Sequence, residues 1–321
     1  MSGIDKNLLE KLYLKNKLSC KEISKKLNIK SSEKIRYYLK KYNINRRNKS
    51  EISTKYPKIN FSGNLNEKSY MLGLRSGDIS AEKNHRMVRV RTTTTHVAQV
   101  EMFKNTFEKY THVHVYSAWN KDHLEWRLYC DLNSSFIFLL DKIKKIPIWI
   151  LNNKENFYSF LTGYMDCEGS WGIGRNNKNN LRFSFRIRTS DKTILVQLLE
   201  KLEKFNYKTN FYIEKSKGST TNKGKLHRDF YCLSLLQRKY VVKIAKKLIT
   251  LSKHKEKIIK MQLIIGESEN KYWDSVRLKV LKLRNEIKKE HIKNFGVDFH
   301  SHKRCYNNGR KNNSKIEIFK I

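Results

Sequence analysis

The residues of this 321-residue chain that could do chemistry are two carboxylates, Asp78 and Glu168. Each follows a pair of small residues four apart, Gly73 and Gly77 before the first, Gly163 and Cys167 before the second. Positions four apart share one face of a helix, and small residues there let two helix backbones approach closely. A carboxylate placed just after such a face falls at the C-terminal end of its helix, where it opposes the dipole. Two such helices side by side would gather both acids into one cluster, costly unless a cation lies between them. A divalent cation, Mg2+ or another, is the natural compensation, since oxygen ligands beside phosphates are the usual Mg2+ arrangement. A metal that activates water beside a phosphodiester composes a hydrolase site. Asp166 stands two before Glu168, where its side chain would point elsewhere on the helix, and a capping role is expected for it.

The charge balance names the substrate class. There are 68 Lys and Arg against 30 Asp and Glu, a net +38. Residues 1–50 carry +11 of this and residues 271–321 carry +9, leaving +18 between them. Self-repulsion of that size is usually neutralised by a polyanion, double-stranded DNA by default, over one long surface. Binding should weaken steeply with salt, because Lys and Arg contacts to phosphate release counterions. With 39% hydrophobic residues the chain can bury cores, which excludes global disorder. No run approaches the ~18–20 apolar residues of a membrane span, so no membrane partner is expected. The first residues lack a signal-peptide pattern, and five scattered cysteines fit a reducing interior. The expected location is therefore cytoplasmic and DNA-associated, not secreted.

The elements that must position the acids repeat. KSYMLGLRSGDIS (68–80) and FYSFLTGYMDCEGS (157–170) read as helices, followed by the alternating strands VRVRT (88–92) and FRIRT (185–189). Helices over 96–110 and 192–206 come next, then two strand-like runs in each copy, then closing helices near 134–145 and 238–253. The offset grows from 90 at the first helix to 97 at the strand, and the seven extra residues are best placed in GRNNKNN. The pattern is an α+β unit, αββαββα, duplicated into a pseudo-dimer within one monomer. In the strands, Val88 and Val90 alternate with Arg89 and Arg91, while Phe183, Phe185 and Ile187 alternate with Ser184, Arg186 and Arg188. One face is core; the other, with Arg at the same two positions in both copies, suits reading of DNA. His114 and Tyr212 are expected on that same face.

The first 46 residues read as three short helices, with Ser19 and Glu22 at capping-box spacing and Ser31 or Ser32 opening the third. Ile35 and Leu39 point inward, leaving Lys34, Arg36 and Tyr37 outside, a helix-turn-helix pattern whose last helix would contact DNA. Residues 47–64 read as a basic linker, and residues 269–321 as a basic extension with a helix over 271–293 and a mobile tail. His300, His302 and Cys305 in that tail lack a fourth ligand at zinc-finger spacing.

LGLRSGDIS and LTGYMDCEG resemble the two motif helices of the LAGLIDADG homing endonucleases in their single-chain, two-motif form. The resemblance covers roughly residues 65–265, the repeats being 65–150 and 151–268. It implies two four-stranded sheets forming a saddle over duplex DNA, with crossed motif helices at the centre. It implies cleavage of both strands across the minor groove, with Asp78 and Glu168 binding metal. It also implies a basic residue near the start of each closing helix, for which Arg238 or Lys239 qualifies in the second copy. The first copy offers only Asn133 and Ser134 there, carries Arg75 where an apolar residue is usual, and has Ile79 where Gly follows the acid. A β-branched residue resists the left-handed turn that often ends a helix. Those departures keep a catalytically inactive DNA-binding regulator in view, and an intron RNA maturase is the further alternative.

Overall fold

The computed structural model describes residues 4–295 except 17, 46–55, 121–122, 177 and 222–223. The tail bearing His300, His302 and Cys305 lies outside the described residues. Two compact units are present, divided at Pro57 and Lys58.

The first unit is all helical. Helix α1 (Lys6–Glu10) runs into a π-turn (Lys11–Lys15), followed by α2 (Cys20–Lys26) and α3 (Ser32–Lys41). Asp5 caps α1, and Ser19 with Glu22 forms a full capping box on α2. Ser31 opens α3. Leu9, Leu12, Tyr13, Ile23, Ile35 and Leu39 are buried together as a small core. Lys34, Arg36 and Tyr37 are exposed on the outer face of α3, with Arg36 paired to Glu33.

The second unit holds both repeats. The first contains α4 (Leu65–Ser76), β1 (Ser80–Asn84), β2 (Met87–Thr94), α5 (Val97–Phe107), β3 (His114–Asn120) and β4 (His123–Leu132). After a short α6 (Ile148–Asn152), the second begins with α7 (Lys154–Glu168), β5 (Gly169–Arg175), β6 (Leu181–Thr189), α8 (Lys192–Lys204) and β7 (Asn210–Lys215). A minor hairpin, β8 (Thr220–Thr221) and β9 (Gly224–Lys225), precedes β10 (Phe230–Leu235). Helices α9 (Arg238–Leu248), α10 (Lys255–Gly266) and α11 (Asp274–Phe295) end the described chain. The two main sheets are antiparallel and share one order, β1-β2-β4-β3 and β5-β6-β10-β7, which makes the duplication visible strand by strand. In β2 and β6 the apolar positions are buried while the arginines turn outward, as alternation in a half-buried strand requires. The fold is the duplicated α+β saddle.

Four details differ from the sequence expectation. Residues 59–64 are no linker: Ile59 donates its N–H to the Tyr110 carbonyl, and the Phe61 ring packs on Tyr110, Phe136 and Phe138. The first closing helix is only a 3-10 turn, Ser134–Leu139. Arg75 explains the stop, because its guanidinium takes the Leu139 and Leu140 carbonyls at 2.8 and 3.1 Å, the acceptors a continuing helix would need. The helix expected over 238–253 breaks after Leu248, and α10, not foreseen as a separate element, starts again at Lys255. Finally, α11 packs Val276 and Val280 into the second-repeat core. The insertion 174–180 helps hold it there: the Asn179 carbonyl accepts from Trp273 N–H, and Leu181 N–H donates to the Lys271 carbonyl.

Candidate active site

Helices α4 and α7 cross backbone to backbone. A Cβ on Gly163 would lie 2.1 Å from the Tyr70 carbonyl oxygen, and one on Gly73 would lie 2.3 Å from that of Phe160. Further along, a Cβ on Gly77 would meet the Cys167 Cβ at 2.4 Å. The small residues therefore sit at the crossing, and the carboxylates that follow them are delivered to one end of it. No positive φ occurs at 77–79, so Ile79 meets no left-handed strain. Its side chain is buried in the first-repeat core.

The two acids are not held alike. Glu168 is the last residue of α7, whereas α4 stops at Ser76 with Gly77 as its cap, so Asp78 stands beyond the helix. Asp78 is exposed and accepts a hydrogen bond from Gln99 Nε2 at 3.2 Å. Gln99 is in turn fixed by the Thr94 hydroxyl at 2.6 Å. The Glu168 side chain runs past Gly77, where a Cβ would stand 3.5 Å from its Cγ. Burial pushes the Glu168 carboxyl up to about 7, and the charge of Asp78 adds to the shift. Asp191 pushes the same way, while Lys142 and Lys257 oppose it.

Lys257 carries no sequence signal, yet it is central. Its Nζ donates to the Met165, Asp166 and Cys167 carbonyls at 2.6, 2.7 and 3.4 Å, closing the C-terminal end of α7. Burial lowers its affinity for the proton, but three acceptors require all three N–H bonds of an ammonium. A cation at a helix C-terminus is favoured by the dipole. Asp166 does not cap its own helix. Fully buried, it accepts from Tyr70 Oη at 2.8 Å, Ser252 Oγ at 2.7 Å and Lys253 N at 3.0 Å, so it ties α4 and α7 to the segment leading into α10. Arg238 is occupied elsewhere, donating to the carbonyls of Leu181, Ser268 and Asn270. Lys239 is exposed, with its Nζ 4.9 Å from the Tyr240 ring centre. Neither is among the principal charges felt by Glu168. The bases near the acids come from Lys257 and Lys142 instead.

Among the described residues no group of three or more His, Cys, Asp or Glu is arranged to hold a metal. Two carboxylates suit a hard cation that keeps several waters and takes further oxygens from phosphate. Burial first, and the Asp78 charge second, penalise the ionised Glu168, and a cation between the two carboxylates would offset both, so the donor set fits such an ion.

The outward faces of the sheets carry the predicted arginines. Arg89 pairs with Asp131, Arg91 with Glu82 at 3.3 Å, and Arg188 with Glu214 at 2.9 Å. Arg186 stands opposite Ser234, and Ser184 opposite Gly172. His114 and Tyr212 share these faces, lying opposite Tyr129 and Cys232.

A family model described as a LAGLIDADG-like domain matches residues 158–268, the span from mid-α7 to the end of α10. The match falls within the second repeat. No curated protein matches the chain. Among solved structures, the homing endonuclease I-WcaI bound to its DNA recognition sequence shares 16% identity over 61% of this chain and 86% of that one, with a TM-score of 0.42. The meganuclease I-AabMI bound to uncleaved DNA shares 13% over 71% and 98%, at 0.40. Full-length DUF199/WhiA from Thermatoga maritima shares 13% over 72% and 70%, at 0.39. These likenesses concern the fold. Among the described residues no helix is long and apolar enough to cross a membrane.

Proposed function

We propose that this protein is a site-specific, divalent-metal-dependent endonuclease acting on double-stranded DNA, in the manner of a single-chain homing endonuclease. The observation that carries the reading is the pairing of Asp78 with Glu168 at the end of a glycine-mediated helix crossing, with Glu168 pushed up to about 7. A protein with no use for a cation there would gain stability by losing one of the two charges. Asp78 and Glu168 would hold a divalent cation such as Mg2+, which supplies water activation and stabilisation of the leaving oxygen. Gln99 fixes the orientation of Asp78, and Lys257 fixes the end of α7 that presents Glu168. Lys142 and Lys257 place positive charge beside the carboxylates, where a scissile phosphodiester would bring the negative charge shared by its two non-bridging oxygens. The absence of a base in the first closing helix is thereby offset. The arginines of both sheets would contact DNA, and exposed Lys34, Arg36 and Tyr37 on α3 would extend the site as a helix-turn-helix does.

The test is cleavage selection on a randomised duplex library, with Mg2+ and with EDTA, for wild type, Asp78→Asn and Glu168→Gln. Metal-dependent staggered cuts lost in both variants are expected. Nicking of one strand would mean one working half-site. Enrichment of a bound sequence without any cut would refute the enzyme and leave a DNA-binding regulator.

A further inference from the structure

We infer that Arg89 reads a guanine in the half-site facing the first sheet, held for that purpose by Asp131 and Tyr129. The inference rests on the duplex-DNA reading above and adds a base and a position to it. Asp131 stands directly opposite Arg89 across β2 and β4. Its carboxylate takes Arg89 Nε at 2.9 Å and Nη2 at 3.0 Å, a side-on clamp that uses one edge of the guanidinium. The other edge, Nη1 and the second N–H of Nη2, is left as a parallel pair of donors. That is the fork that matches O6 and N7 of guanine in the major groove.

The clamp is itself braced. Asn84 Nδ2 donates to Asp131 Oδ1 at 3.2 Å. The guanidinium carbon lies 5.0 Å from the Tyr129 ring centre, and Tyr129 stacks on His114 with centroids 4.5 Å apart and planes 10° from parallel. Residues from the three other strands of the sheet thus hold one rotamer of a long side chain before any ligand arrives. Holding it beforehand removes ordering entropy from the binding step. The side chain remains 35% exposed, so its outer edge can be reached. A carboxylate on a surface meant for DNA repels phosphate, and it is tolerable where it orients an arginine towards a base.

The second repeat lacks this arrangement. By register the position equivalent to Arg89 is Ser184, since Ser80 faces Arg91 as Ser170 faces Arg186, so Arg186 answers to Arg91 and the second repeat has no guanidinium at this place. Glu214 pairs with Arg188 instead, the next outward position. The two half-sites should therefore differ. One demands guanine at the position under Arg89, and the other tolerates substitution at the matching position under Ser184.

The experiment uses the full chain in EDTA, so that binding is read without cleavage. Bound sequences are selected from a randomised duplex library with wild type, Arg89→Lys and Asp131→Asn, each first checked by thermal melting. Wild type should enrich one guanine by about tenfold or more. That preference should fall to about twofold in both variants, with the rest of the recognised sequence unchanged. Asp131→Asn keeps the size of the side chain and guards against a folding defect in Arg89→Lys. A second measurement leaves the protein intact: 7-deazaguanine at that position, which lacks the N7 acceptor, should weaken wild-type binding about tenfold. An enriched site in which neither variant alters any guanine preference would overturn the inference, leaving a cross-strand ion pair that serves only the sheet. Failure of wild type to enrich any sequence would overturn the DNA reading itself, and this one with it.

Discussion

Replacing Gly163 by Ala should unfold the second unit more easily, although alanine is the better helix former. In an exposed helix interior the exchange would gain about 1 kcal/mol. Here the new methyl carbon would lie 2.1 Å from the Tyr70 carbonyl oxygen and 3.1 Å from the Leu74 nitrogen. Both are backbone atoms of α4, so no side-chain rotation relieves the overlap. The helices must move apart by more than an ångström, and forced overpacking costs typically about 1–3 kcal/mol and occasionally more. Taking the upper end of that range, because the overlap is with backbone, and subtracting the helix-propensity gain leaves a net loss of about 2 kcal/mol. All five tryptophans lie beyond residue 57. Urea unfolding followed by tryptophan fluorescence therefore reports the second unit alone. Gly266→Ala is the control: it ends α10 with open space where the Cβ would go, and it should be neutral or stabilising by up to about 1 kcal/mol. An unchanged midpoint for Gly163→Ala would mean that the helices do not cross at that glycine, and the pairing of the carboxylates would lose its basis.

Glu168→Gln should stabilise the metal-free protein at neutral pH by a few kcal/mol, since a carboxyl moved from about 4.5 to about 7 is penalised by roughly 1.4 kcal/mol per unit. The penalty is absent below pH 4.5 and grows as pH rises to 7, so the variant's advantage should vanish in acid; Mg2+ should raise the melting point of wild type and leave the variant's unchanged. His254 is buried and held down to about 3 by burial and by Lys257. The unfolded chain binds that proton first, so its contribution is full above pH 6.5 and is lost as pH falls from there towards 3. The stability difference between wild type and His254→Gln should shrink across that window, and a constant difference would refute the assignment. Burial pushes Glu256 up, but its bond with His96 and the charges of His96, His254 and Lys260 together depress it to about 2, so it loses stability only below about pH 4.5, which separates the two groups. Lys257→Met should leave three carbonyls at the end of α7 without their donor, costing about 3 kcal/mol. It should also abolish cleavage under conditions where the variant is still folded; full activity would remove Lys257 from the site.

What the sequence disclosed was whatever repeats locally. Alternation in MVRVRT and RFSFRIRT marked two strands because every second side chain faces one core. Ser19 and Glu22 marked a helix start because the capping box is a contact between neighbours. The glycine spacing reached further, since close helix contact needs small residues wherever the partner lies. Lys257 was illegible because nothing near it in sequence differs from the other lysines. Its role comes from a chain reversal at 249–254 that returns α10 to the end of α7. Arg75 read as a flaw in an apolar motif, whereas the fold uses it to cap a shortened closing turn and to hold the Ile79 carbonyl at 3.2 Å. Asp131 carries no local signal either, since its role comes from its register opposite Arg89 across β2 and β4.

The two repeats are copies in topology and partners in chemistry. Glu168 belongs to the second repeat, yet Lys142, which opposes its shift, comes from the first, and Asp78 supplies its nearest rival charge. Asp78 belongs to the first repeat, yet the Lys257 charge set against that cluster comes from the second. Helix α10 also touches α5 of the first repeat, where Glu256 meets His96 at 3.7 Å. Neither half therefore contains a complete set of charges. Where the first repeat has only a 3-10 turn at Ser134–Leu139, positive charge reaches the acids from Lys142 just beyond it and from Lys257 of the second repeat. Duplication followed by such sharing leaves one composite centre, whose two acids respond together when any of its shared supports is removed.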